Sequence, residues 1–209
     1  MTGINKKGFT LIELIVVVAV LLTILGTAIG IFISIVQHQR IILAEQELLN
    51  QISYVLEYTS KALRMAGKDL TGDCLKDDFG TMYPGYNYLL TRPVNGVYTG
   101  IKFINRSNNN ACQEFYLDNT DPENSVLKEI KNGLPATGVA LTSDKFMINS
   151  IRFGINGDNG LTTGTIGAAG DNGIQPRVTI YLDIQVKGDD GQVKKIQTTV
   201  SQRNLNVQE

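Results

Sequence analysis

From Leu14 to Val36 the chain carries no charged side chain, and a run of that length leaves few options for what it can become. About 23 residues at about 1.5 Å each give a helix of about 35 Å, longer than the bilayer's hydrocarbon core of about 30 Å. In lipid every backbone amide has to be satisfied within the segment. A lone crossing must therefore be helical, even where Val16, Val17, Val18 and Ile24 would weaken a helix in water. One membrane crossing near the N-terminus is expected. A secretory signal peptide calls for an apolar core of about 7–15 residues and a small-x-small cleavage site, whereas this run is longer and leads into an amphipathic segment. A plain signal anchor also satisfies the run taken alone.

Directly ahead of it stands Lys6-Lys7-Gly8-Phe9-Thr10-Leu11-Ile12-Glu13. Holding a charged side chain in a bilayer costs roughly 2.5–3.5 kcal/mol on insertion scales, so Glu13 needs a partner or an escape. The escape is snorkelling to the nearby interface. Lys6 and Lys7 are of the sign that keeps this end in the cytoplasm and sends the chain beyond the span outside.

That string resembles the type IV pilin and pseudopilin family, whose precursors carry a short basic leader ending in Gly, then Phe, three further residues and Glu. The resemblance covers the leader and the first helix. It implies that a prepilin peptidase cuts between Gly8 and Phe9, removes residues 1–8 and N-methylates Phe9. It also implies a partner for Glu13, the freed amine of Phe9 on a neighbouring subunit. Two opposite charges at about 4 Å attract by roughly 4 kcal/mol at an effective dielectric of 20, comparable to the insertion cost, so assembly would relieve what insertion stored. The implied partners are the peptidase, other pilin or pseudopilin subunits, an inner-membrane assembly platform and membrane lipid. Where major pilins usually place a proline, this chain has Gly30, and no proline occurs before Pro84. That departure leans towards a minor pilin or a pseudopilin. Gly26 and Gly30 form a small-xxx-small pair on which another helix could approach, or are ordinary glycines of a spanning helix.

Past Val36 the chain turns polar at Gln37, His38, Gln39 and Arg40. It then places Leu48, Ile52, Val55, Leu56, Thr59, Leu63 and Ala66 at three- and four-residue steps. An amphipathic helix running to about Ala66 is expected, with Lys61 and Arg64 at its negative end and Gly67 as its stop. Residues 1–8 are thus read as leader, 9–66 as one long helix with its span at 14–36, and 67–209 as the head. The fold class is α+β, a long helix packed on an antiparallel β-sheet head.

In the head, short strands are expected at 101–105, 112–117, 126–130 and 147–155. The clearest runs from Arg177 to Lys187, where Val178, Ile180, Leu182, Ile184 and Val186 alternate with Thr179, Tyr181, Asp183 and Gln185. Gly188-Asp189-Asp190-Gly191 reads as a hairpin turn, with 193–201 returning as the partner strand. This closing hairpin, with Gln175-Pro176-Arg177 and Gln202-Arg203-Asn204 at its ends, resembles those of minor pilins and of J-type pseudopilins. Arg203 and Asn204 read as solvated edge residues or as a subunit contact.

Cys74 and Cys112 are the only cysteines, and an even count in a head outside the cytoplasm points to a disulfide. Two Cys and the lone His38 do not form a zinc set. Asp158, Asn159, Asp171 and Asn172 lie in two Gly-flanked turns of the 156–173 loop. They offer oxygens to calcium without an EF-hand spacing, and turn chemistry accounts for them equally. Asp69, Asp73, Asp77 and Asp78 read as a solvated acidic turn.

No nucleophile elbow, phosphate loop or His-Glu-x-x-His motif is present, no cofactor is implied, and an enzyme is not expected. A sequence pI near 5.9 with dispersed basic residues argues against nucleic acid. The leading expectation is a minor type IV pilin-like subunit of a pilus, a related filament or its tip complex. It would be a single-pass cytoplasmic membrane protein before assembly, with its head outside. A pseudopilin of type II secretion or of a competence pseudopilus comes next. A permanently anchored binding domain is the reading from a different class, and an anchored hydrolase the remote enzyme alternative.

Overall fold

The computed structural model describes residues 8–157, 175–187 and 193–203. Lys6, Lys7, the two acidic turns of the 156–173 loop from Asp158 onward, the 188–191 turn and Asn204 lie outside the described residues.

Helix α1 runs Leu11–Arg64. The chain divides into one compact unit up to Gln46 and a second from Glu47. The first is helix with its apolar side chains uncovered: the most apolar window has a mean hydropathy of 2.9, and none of it is buried. A core helix of a soluble domain would bury that face, so length, composition and exposure together fit a spanning segment.

The second unit is built around the last turns of α1. Leu48, Ile52, Val55, Thr59, Ala62 and Leu63 are buried along the stripe read from sequence. Among the described residues nine strands come after the helix, forming two antiparallel sheets. In the first sheet the order is β1 (Ala66–Gly67), β3 (Val97–Asn105), β4 (Ala111–Asp118), β5 (Val126–Lys131) and β6 (Leu134–Ala140), with β2 (Tyr88–Val94) also paired to β3. The second consists of β7 (Phe146–Asn156), β8 (Arg177–Val186) and β9 (Lys194–Ser201) in that order. Register puts Tyr88, Phe103, Gln113 and Ile101, Phe115, Glu129 on one face of the first sheet. The alternating apolar residues of β7 and β8 turn inward from the second. Together with the helix stripe they make one core cluster, from Leu48 and Phe103 to Ile180 and Val200.

Two strands escape the sequence reading. β2 contains Pro93 and a left-handed Arg92, and β6 contains Pro135 and Gly138 with nearly every residue exposed. Proline is tolerated where the N–H is not needed by the ladder, so both strands lack the alternation that marks the others.

The end of α1 also differs from expectation. The helix stops at Arg64, and Ala66–Gly67 pairs with Ile104 and Asn105 of β3. Gly67 is a strand residue, and a Cβ there would press on the side chain of Arg106. The terminal carbonyls find partners in the head: Leu63 O accepts from the Tyr88 hydroxyl at 2.7 Å, Arg64 O from Arg203 N at 2.8 Å and Met65 O from Arg106 N at 3.0 Å. Such partners replace a glycine cap.

Candidate processing and assembly site

Gly8, Phe9 and Thr10 precede the helix outside regular structure. A Cβ at Gly8 would meet nothing within 4 Å, and Phe9 is 81% exposed, so the Gly8–Phe9 peptide bond is uncovered. The Thr10 carbonyl accepts from Glu13 N at 3.1 Å and Leu14 N at 3.2 Å, opening the helix. Thr10-Leu11-Ile12-Glu13 therefore has the Thr-x-x-Glu spacing of a helix start, a local signal that lies inside the family motif and is masked by it. Glu13 falls in the first turn, at the positive end of the helix, where an acid is favoured. Among the described residues no hydrogen bond or ion pair reaches its side chain. Gly8 and Phe9, where cleavage and methylation are expected, and the acid Glu13 thus share one short, open segment.

Along the span, the two threonines satisfy themselves. Thr23 Oγ1 donates to Val20 O at 2.8 Å and Thr27 Oγ1 to Ile24 O at 2.9 Å, which removes the cost of bare polar groups in lipid. A Cβ at Gly26 or Gly30 would meet nothing within 4 Å.

In the head, Cys74 and Cys112 are bonded, with Cα atoms 5.4 Å apart. The bridge fastens the loop after β1 to β4. Asp69 departs from the solvated-turn reading: it is 2% exposed. Its Oδ1 accepts from Gly72 N at 2.8 Å and from the Thr71 amide and hydroxyl, and its Oδ2 accepts from Cys74 N and Leu75 N. One carboxylate therefore shapes the loop that carries Cys74. Asp77 organises the next turn, accepting from Phe79 N, Thr81 N and the Tyr83 hydroxyl. Asn105 is buried, and its side-chain oxygen Oδ1 accepts from Ser107 N and Oγ.

A polar clasp joins helix to sheet. Tyr58 donates its hydroxyl to Glu129 Oε1 at 2.8 Å, Lys131 Nζ donates to that hydroxyl at 2.9 Å, and Lys131 pairs with Glu129 at 3.2 Å. Gln113 Nε2 donates to Glu129 and Asn105 Nδ2 to Gln113. Burial pushes the Tyr58 phenol up, and the bond to Tyr58 followed by the contact with Glu129 raises the Lys131 ammonium. The network satisfies and neutralises its buried acid, which is an adhesive arrangement. It presents no group free to attack a substrate.

Fold and N-terminal segment define an α+β chain of pilin-like layout, one long N-terminal helix followed by antiparallel sheets. Residues 4–29 match the family model described as the prokaryotic N-terminal methylation motif, the signal segment of type IV pilins. The motif implies processing by a prepilin peptidase and assembly of pilin-type subunits. No curated protein and no solved structure matches the chain.

Proposed function

We propose that the chain is a minor type IV pilin-like structural subunit, cut after Gly8, methylated at Phe9 and drawn from the cytoplasmic membrane into a pilus, a related filament or its tip complex. The observation that carries this reading is Glu13, an acid without a partner among the described residues, in the first turn of an uncovered apolar helix inside the matched motif. In a staggered bundle the amine of a neighbour's Phe9 supplies the missing charge. The absence of proline from the first helix favours a minor subunit. The same feature suits a pseudopilin of type II secretion or of a competence pseudopilus, which is the second reading. The head then faces the periplasm or the exterior.

The test is the N-terminal peptide mass after expression in membranes with a matching prepilin peptidase. A chain beginning at Phe9 with one added methyl supports the proposal. A chain still beginning at Met1, under conditions where a known substrate is processed, overturns it in favour of a permanently anchored domain.

A further inference from the structure

Among the described residues strand β9 has a strand neighbour on one side only. From Lys194 to Ser201 its backbone exchanges ladder bonds with β8, and among the described residues Thr199 and Ser201 bond to no backbone group on the other edge. That edge lies beside the last turns of α1, and between them runs a cleft of about 1040 Å³. Thr199 and Ser201 line it from the strand, and Lys61, Arg64 and Arg203 line it together with a single acid, Glu57. All three cations are exposed, and among the described residues none is held in an ion pair. The cleft therefore combines a row of open strand donors and acceptors with an excess of positive charge.

We propose that this cleft receives an extended, acidic segment of a partner polypeptide, added to the edge of β9 as a fourth strand of the second sheet. Main-chain bonds to β9 supply the affinity, as in other cases of strand addition. Lys61, Arg64 and Arg203 select for carboxylates on the incoming strand, because an edge lined with like charge repels the wrong partner as effectively as it attracts the right one. Open edges are usually blunted with lysine. Lys195 does this at the far end of β9, which leaves the Thr199–Ser201 end, beside the three cations, as the accessible stretch.

The test uses the full chain in detergent micelles and a labelled synthetic peptide of about ten residues alternating Val and Glu, with a Val-Lys peptide as control. Fluorescence anisotropy reads binding, and amide hydrogen exchange reads the strand. The expected result is saturable binding of the Val-Glu peptide alone, slowed exchange in β9, and about tenfold weaker binding by the Lys61→Gln/Arg64→Gln variant. Arg203→Gln, whose backbone contact to Arg64 is retained, serves as the second variant if the double variant melts early. The proposal is overturned if the Val-Glu peptide does not bind, if it binds without slowing exchange in β9, or if the Val-Lys peptide binds equally. It is also overturned if inorganic polyphosphate or anionic vesicles bind in its place, which would make the cleft a simple anion site.

Discussion

Two carboxylates illustrate how differently a single residue can act in this chain. Asp69 accepts five hydrogen bonds from its own loop while almost completely buried. Replacing it by Asn removes one acceptor oxygen and turns an amide towards backbone donors. Asp69→Asn is expected to destabilise the head by about 3 kcal/mol, read as a lower urea midpoint with an unchanged slope. Glu13 has the opposite character: among the described residues nothing bonds to its carboxylate. Glu13→Ala is expected to leave insertion and cleavage intact while reducing incorporation into filaments, measured as the variant's share of sheared fibres against its share in membranes. Incorporation equal to that of the unaltered chain would remove the inter-subunit pairing. Asp118 gives a third case. The Lys128 ammonium at 2.5 Å, then the Thr120 hydroxyl and amide, hold its carboxyl down to about 2. A lowered carboxyl stabilises the fold above its ordinary range and loses that contribution as pH falls through about 2. The difference in melting temperature between the unaltered chain and Asp118→Asn should therefore be full at pH 5 and shrink towards pH 2.

At the level of elements, what is legible in the sequence depends on how local its cause is. The 177–187 alternation and the stripe from Leu48 to Leu63 are written in spacing and the Cys pair in its even count, and the strands at 101–105, 112–117, 126–130 and 147–155 appear in place with longer ends. β2 and β6 are not legible, since pairing to β3 and β5 holds chain whose proline and glycine argue against a strand. Gly67 reads as a helix stop because what it does here, pairing with Ile104 and packing on Arg106, depends on residues remote in sequence. Asp69 reads as solvated because nothing in an Asp-rich stretch distinguishes the residue that will be enclosed. At the candidate site, Gly8, Phe9 and Glu13 are legible as a motif, while the opening of the helix at the Thr10 carbonyl is hidden within it. Between elements, the Cys74–Cys112 bridge closes a separation of 38 residues. Its removal by Cys74→Ser/Cys112→Ser should cost about 4 kcal/mol in the chain-entropy model, visible as a lowered melting temperature that reducing agent does not lower further.

For the molecule as a whole, the helix has two characters: its first part is uncovered apolar surface that fits a membrane span, and its last turns are enclosed by two sheets. The exit from α1 is the point where these roles meet. Within a few residues, Arg64 O is bonded to Arg203, Met65 O to Arg106, Ala66 O to Gln202 Nε2, and Ala66–Gly67 to β3. The segment leaving the helix is thereby stitched to the first sheet and to the chain emerging from the second. In mechanical terms, tension entering the seam from the last turns of α1 meets several bonds instead of one. If the chain is the extracted subunit proposed above, a pull on the last turns of α1 passes into the sheets through this seam.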